Sequence, residues 1–244
     1  MQQYSMLDQE VFTTFVRNPG ELIEVRLLGC SEKSYLWDGY AKGTVVGYYD
    51  EYDPFRKDLA KLIYHDQNYT PIKAYMSLQV IDPQLLSRSP NRLTALGQAI
   101  KKEDVLFYRW LPIDLDPVRT SGTSSSDEQL ELARQLSEEI YTQLGAEGWP
   151  APIRAMSGNG YHLLYPLNDL PAQDPEVQKG VKIALANLSK RFSNNHVNVD
   201  TALHDPPRII KLYGTTARKG YPVTEGPGRV ALPHRKSYIY DLGE

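Results

Sequence analysis

Between residues 104 and 211 the hydrophobic spacing switches between a period of two and a period of 3.6, and the order of those switches constrains the fold more than any other feature. "DVLFYRWLPIDLD" (104 to 116) reads as a strand closed by Pro117. A helix follows, opened by a capping box of Ser125 with Glu128 or Ser126 with Gln129, striped by Leu130, Ala133, Ile140 and Leu144, and ended near Gly145 and Gly148. "PIRAMS" and "YHLLYPL" are short strands joined through Gly158, Asn159 and Gly160, where Asn-Gly predicts a tight hairpin. A second helix covers 175 to 192, and "HVNVD" and "RIIKLYG" return to strand. The order β-α-β-β-α-β is the ferredoxin-like split βαβ arrangement, in which the first strand lies between the third and fourth and runs antiparallel to both.

Ahead of it, "ELIEVRLLG" (21 to 29), "TVVGYYDEY" (44 to 52) and "PIKAYMSLQVI" (71 to 81) read as strands around a helix, "PFRKDLAKLIYHD", with Phe55, Leu59, Leu62 and Ile63 at helical spacing. The chain is therefore expected to be α+β. An N-terminal α/β module spans 1–103 and a ferredoxin-like, RRM-like module spans 104–244, integrated into one domain.

The first strand of the second module ends "YRWLPIDLDPVR". Alternation puts Asp114 and Asp116 on one face and Ile113 and Leu115 on the other. Two adjacent carboxylates raise one another's pKa unless a cation lies between them, and a divalent metal answers that need; a solvated pair at a strand end is the plain alternative. Topology adds more. The start of the third strand should meet the end of the first, bringing His162 beside the acids, and Asp200 should arrive from the fourth strand. Three carboxylates can hold two Mg2+ or Mn2+ ions about 3.5 to 4 Å apart for an in-line displacement at phosphorus. Ser157, the turn Gly158-Asn159-Gly160, His162, Arg208 and Lys211 are the candidate phosphate partners.

Composition narrows the classes. The 244 residues are 41% hydrophobic and 23% charged, which suits a globular chain with a full core. No run of about 18 apolar residues and no basic-then-apolar leader appears, so a cytoplasmic protein without a membrane partner is expected. Cys30 is the single cysteine, which excludes an internal disulfide or cysteine-based zinc site and leaves oxygen ligands for any metal. Net charge is only −3, yet residues 208 to 236 carry seven cations against one acid, Glu225. That strip is either a surface for a phosphate-rich partner or a solvated loop.

Together these residues resemble the archaeo-eukaryotic primase superfamily, specifically the primase-polymerase domains of plasmids, phages and other mobile elements. "LPIDLDPVRTSGTSSSDEQ" is similar to the family's first motif, "SGNGYHLLYPL" to its second and "VNVDTALHDPPRIIKLYGTTARKG" to its third, in the family's order over roughly residues 20 to 237 and including "PHRKS". The resemblance implies a primase-polymerase fold and template-directed nucleotidyl transfer to a 3′-hydroxyl. Asp114, Asp116 and Asp200 would be the catalytic metal ligands for two Mg2+ or Mn2+ ions, and His162 would touch the phosphates of an NTP or dNTP. It also implies partners: a single-stranded DNA template or primer-template, and a helicase or other replication or repair proteins. Arg218, Lys219, Arg235 and Lys236 are placed on the DNA. Tyr75 is placed at the sugar of the nucleotide, with a core tyrosine as the alternative.

Two departures qualify the match. Many members have Ser two positions before the histidine, where this chain has Gly160, so a hydroxyl contact would come from Ser157 or be replaced by backbone. The chain stops at "YIYDLGE" without the accessory domain or helicase that priming members carry, and is expected to be a minimal polymerase or an excised domain. Two other classes use similar parts: a non-catalytic single-stranded nucleic-acid-binding domain, which wants aromatics where Asp114, Asp116 and His162 stand, and a two-metal nuclease, which wants the same acids and a water nucleophile.

Overall fold

The computed structural model describes residues 2–68 and 72–243, with side chains from residue 9 onward. The chain forms two compact units that share it in alternating segments: Met1–Tyr108, Pro171–Gln173 and Pro206–Thr215 in the first, Arg109–Leu170, Asp174–Asp205 and Thr216–Glu244 in the second. Both combine helices with antiparallel strand pairs, the α+β class expected. Among the described residues no helix is long and apolar enough to cross a membrane.

In chain order the first unit contains α1 (Gln2–Phe15), β1 (Ile23–Cys30), β2 (Lys33–Ser34), β3 (Trp37–Tyr40), β4 (Gly43–Tyr49), α2 (Tyr52–Asn68), β5 (Lys73–Ser77), β6 (Val80–Ile81) and the opening of β7 (Val105–Pro117). The second unit takes up the rest of β7, then α3 (Asp127–Ala146), β8 (Ile153–Met156), β9 (Tyr161–Pro171), α4 (Pro175–Phe192) and β10 (Val197–Val199). β11 (Ile209–Lys211) returns to the first unit, and β12 (Thr216–Ala217), β13 (Arg235–Lys236) and β14 (Tyr238–Asp241) complete the second.

The first unit is built on a four-stranded sheet in the order β11-β5-β1-β4. Val25, Leu27, Tyr49, Ala74 and Met76 are fully or almost fully buried on one face because strand residues alternate, and α2 meets that face with Phe55, Leu59 and Leu62 at the spacing of one helical stripe. Burying each such side chain contributes about 1.5–3 kcal/mol. The Tyr49 hydroxyl donates to Asp58 Oδ2 at 2.8 Å, so the polar tip of the ring is satisfied inside the helix contact. The opposite face carries Glu24, Arg26, Tyr75 and Lys211 beside buried Val46 and Tyr48.

The second unit has the strand order β10-β7-β9-β8-β14. β7 thus lies between the third and fourth strands of the βαββαβ pattern. α3 begins where Ser126 and Gln129 exchange hydrogen bonds, 3.1 Å to the Gln129 amide and 2.9 Å back to the Ser126 amide, so of the two possible capping boxes this one forms. It ends where Gly148, at φ 85°, lets the Trp149 amide reach Leu144 O and its own amide reach Gly145 O, both at 3.0 Å, which closes the last carbonyls. α4 starts on Asp174 and Pro175 and buries Val181, Leu185, Leu188 and Phe192.

Several elements differ from the sequence reading, each for a non-local reason. The strand predicted over 71–81 is two strands, β5 and β6, with residue 71 outside the described residues; β5 pairs with β1, and β6 pairs with Phe107 and Val105 at the opening of β7. β9 runs four residues past "YHLLYPL". "RIIKLYG" is not a strand of the second unit: Ile209–Lys211 pairs with Ser77–Tyr75 at the edge of the first sheet. The tight turn read through Gly158, Asn159 and Gly160 is a four-residue connection, since Met156 pairs with Tyr161, and Asn159 has no positive φ. α1, the β2–β3 and β12–β13 ladders and β14 carry periods too short or too irregular to have been read.

Candidate active site

β7 ends in the second unit with Ile113 and Leu115 fully buried and Asp114 and Asp116 half-exposed on the other face. β10 runs antiparallel beside it, with Asn198 opposite Asp116 and Val199 opposite Leu115. One residue further, the Asp200 amide donates to the Asp114 carbonyl at 2.8 Å, which anchors the third aspartate beside the first. On the other side the beginning of β9 brings buried His162, whose Nε2 is 3.4 Å from Asp114 Oδ1. Asp114, Asp116, Asp200 and His162, distant in sequence, therefore meet at one end of one sheet.

Burial, then the neighbouring Asp114 charge, pushes the Asp116 carboxyl above its usual value, while Lys219 and Arg119 pull it back. Arg119 was assigned no role from sequence. Its Nη1 and Nη2 reach Asp116 Oδ1 at 3.4 and 3.3 Å, and it is fixed by donating to Pro117 O and Thr123 O, each at 3.0 Å. The signal was available: the arginine lies three residues after the second aspartate, in a loop tight enough to fold back on it. Asp200 Oδ1 accepts from the Ala202 amide at 2.8 Å, so this carboxylate is oriented by its own turn.

A metal site can be tested against this geometry. Among the described residues no group of three His, Cys, Asp or Glu side chains is gathered closely enough to hold an ion. The donor chemistry of Asp114 and Asp116 nevertheless fits a hard divalent cation: paired oxygen ligands whose like charge Arg119 and Lys219 offset only in part, open on one side to further oxygen donors.

The glycine turn is closed rather than splayed. The Ser157 amide donates to Gly160 O at 2.9 Å, the Gly160 amide to Ser157 Oγ at 3.1 Å and the Gly158 amide to Met156 Sδ at 2.8 Å. Buried Asn159 is tied to the serine tail of the first motif: its Oδ1 accepts from the Ser125 amide at 2.9 Å, and its carbonyl accepts from Ser125 Oγ at 2.6 Å. A Cβ on Gly160 would collide with Leu115 O, and one on Gly158, at φ 99°, with Ala217. The glycines are required by close packing between β7 and β12. Ser157 is half-exposed, and its hydroxyl proton has no acceptor among the described residues.

The basic strip divides. Arg235 is held inside the second unit, donating from Nη1 to Ser125 O at 2.8 Å and pairing through Nη2 with Asp127 at 2.5 Å. Arg218 Nη1 lies 3.2 Å from His234 Nδ1. Lys219 is exposed, and Lys236 is half-exposed opposite Thr216. Tyr75, Arg208 and Lys211 belong to the first unit: Arg208 is exposed, and Lys211 Nζ lies 5.7 Å from the centroid of the Tyr75 ring.

No family model matches the sequence, and no curated protein matches it significantly. Solved structures do. The primase-polymerase AEP domain of cyanophage S-2L is similar over 95% of this chain and 88% of its own, at 10% identity and a TM-score of 0.44. Primase RepB′ is similar over 98% of this chain at 11% identity and a TM-score of 0.45, the match spanning 57% of RepB′, little more than half its length. The polymerase domain of Mycobacterium tuberculosis Ligase D, in complex with DNA, is similar over 89% of this chain and 75% of its own, at 14% identity and a TM-score of 0.48.

Proposed function

We propose that this chain is a template-directed nucleotidyltransferase, a DNA primase or polymerase that adds nucleotides to a 3′-hydroxyl. The observation that carries the reading is the meeting of Asp114 and Asp116 on β7, His162 on β9 and Asp200 just past β10 at one end of the second unit's sheet. The first two carboxylates, with Asp200 beside them, would hold divalent magnesium or manganese. Such ions lower the pKa of an attacking hydroxyl and neutralise charge on a leaving pyrophosphate.

The chain's own residues do the rest. Asp114 and Asp116 keep a fixed spacing because their strand is paired on both sides. Arg119 restrains Asp116, and the Asp200 turn aims its carboxylate without a long flexible side chain. His162, beside Asp114, and the Ser157 hydroxyl, in the turn that leads into β9, are donors suited to phosphate oxygens. Template or primer-template DNA is taken by Lys219 and Lys236, the exposed and half-exposed members of the basic strip.

The test is a primed template incubated with the protein, labelled nucleotides and manganese. Lengthened primer is expected. Shortened primer would make the acids those of a nuclease, and an unchanged primer with DNA bound would leave a binding domain.

A further inference from the structure

The second unit has a cleft that the acid site does not use. Its walls are Tyr141 on α3, Trp149, Pro150 and Pro152 in the loop that leads to β8, and Tyr165 on β9, and its volume is about 280 Å3. Tyr165 lies three residues after His162, so strand alternation turns it to the face of the sheet opposite that histidine. The cleft and the acids are on different sides.

The aromatic walls carry polar atoms that the protein leaves unpaired. Tyr165 is 2% exposed, and its buried hydroxyl has no hydrogen-bond partner. A buried polar group in that state costs about 1–3 kcal/mol, which a ligand supplying the bond would recover. Among the described residues the Trp149 indole Nε1 and the Tyr141 hydroxyl also have no hydrogen-bond partner. The loop backbone is set in advance: the Trp149 amide donates to Leu144 O at 3.0 Å, and Pro150 and Pro152 fix their own φ angles. The half-exposed indole meets the Tyr165 ring edge-on, with centroids 5.1 Å apart. A rotamer change there, of the kind common where a partner docks, uncovers the tyrosine.

The lining selects among ligands. It includes no lysine, arginine or histidine to hold a phosphate and no carboxylate to hold a cation. Arg154 Cζ, 4.4 Å from the Tyr141 centroid, already occupies one face of that ring, which disfavours a second cation. Aromatic walls with N–H and O–H donors suit a neutral ligand rich in acceptors. A proline-rich segment has that chemistry: its rings pack on aromatic surfaces, its carbonyls accept, its proline nitrogens carry no hydrogen, and its extended helix is formed before binding. We infer that this cleft binds a proline-rich segment of another protein, with the Trp149 indole and the Tyr165 hydroxyl donating to its carbonyls. The inference is independent of the nucleotidyltransferase reading.

The full chain is titrated by calorimetry with a short polyproline peptide, a glycine-serine peptide of the same length and adenosine. Wild type is compared with Tyr165→Phe, Trp149→Phe and, as control, Tyr221→Phe at a residue 92% exposed. Each of the first two variants keeps a ring and removes one donor, so the dissociation constant for polyproline is expected to rise about three- to tenfold. Tyr165→Phe also removes the unpaired oxygen and should melt no lower than wild type, which separates a lost contact from a lost fold. The control should bind as wild type does, and the glycine-serine peptide should not bind. A wild type that does not bind polyproline, or folded variants that bind it with wild-type affinity, overturn the inference. Binding of adenosine in place of the peptide, weakened by the same variants, makes the cleft a site for a planar ring and overturns it too. A wild type that binds polyproline but extends no primer keeps the inference and loses the nucleotidyltransferase reading.

Discussion

At the scale of single residues, Asp114 and Asp116 stand where their mutual repulsion is largest and their usefulness to a cation greatest. Asp116 has a folded-state pKa raised by burial and by Asp114, so the folded chain binds its proton more tightly than the unfolded chain does. Stability from this group is therefore fully present at pH below the ordinary aspartate value and is lost as pH rises through the raised value. Metal-free Asp116→Asn should lose this acid-side gain and melt higher than wild type at neutral pH, and with metal supplied it should not extend a primer; a difference in melting temperature between variant and wild type that is the same at pH 4 and pH 7 would contradict the assigned electrostatics. Divalent cation with nucleotide should stabilise wild type by about 2.7 kcal/mol at a hundredfold excess over its dissociation constant. Asp114→Asn and Asp116→Asn should show no such shift, which differential scanning fluorimetry would register.

At the scale of elements, the turn between β8 and β9 and the β12–β13 ladder form one packed assembly, and this changes what its residues are expected to do. Gly158→Ala places a Cβ against Ala217 in a left-handed conformation and should destabilise by about 1–3 kcal/mol, seen as a lower denaturation midpoint. Ser126→Ala removes the α3 cap and should cost about 1 kcal/mol. The basic residues nearby separate by use. Arg235→Ala loses a hydrogen bond to a backbone carbonyl and an ion pair to exposed Asp127, so it should cost about 1 kcal/mol of stability and leave the salt dependence of DNA binding unchanged. Lys219→Gln and Lys236→Gln should each weaken DNA binding and reduce the slope of its logarithm against log salt by about 0.7–0.9. If Arg235→Ala alone flattens that slope, the arginine meets phosphate and its internal contacts give way.

At the scale of the molecule, the chain passes between the two units five times, so neither unit is a continuous segment. A fragment 1–103 would lack β11, leaving the β5 edge unpaired and the apolar face without Leu212; a fragment 104–244 would carry Ile210, Leu212 and Tyr213 with no sheet to bury them. Each fragment alone should fail to give the cooperative thermal transition of the full chain by circular dichroism. What the sequence determined by itself is everything that depends on neighbours along the chain. The face shared by Asp114 and Asp116 follows from strand alternation, α2, α3 and α4 follow from helical stripes and caps, and the order of elements predicted that His162 and Asp200 would approach the acids. Only the tertiary structure decided that "RIIKLYG" joins the first sheet, that the glycine turn is packed shut against Leu115 and Ala217, and that Arg235 binds the serine tail. Each of these depends on the register between strands far apart in sequence, and a period of two tells which residues share a face without telling which strand will lie beside them.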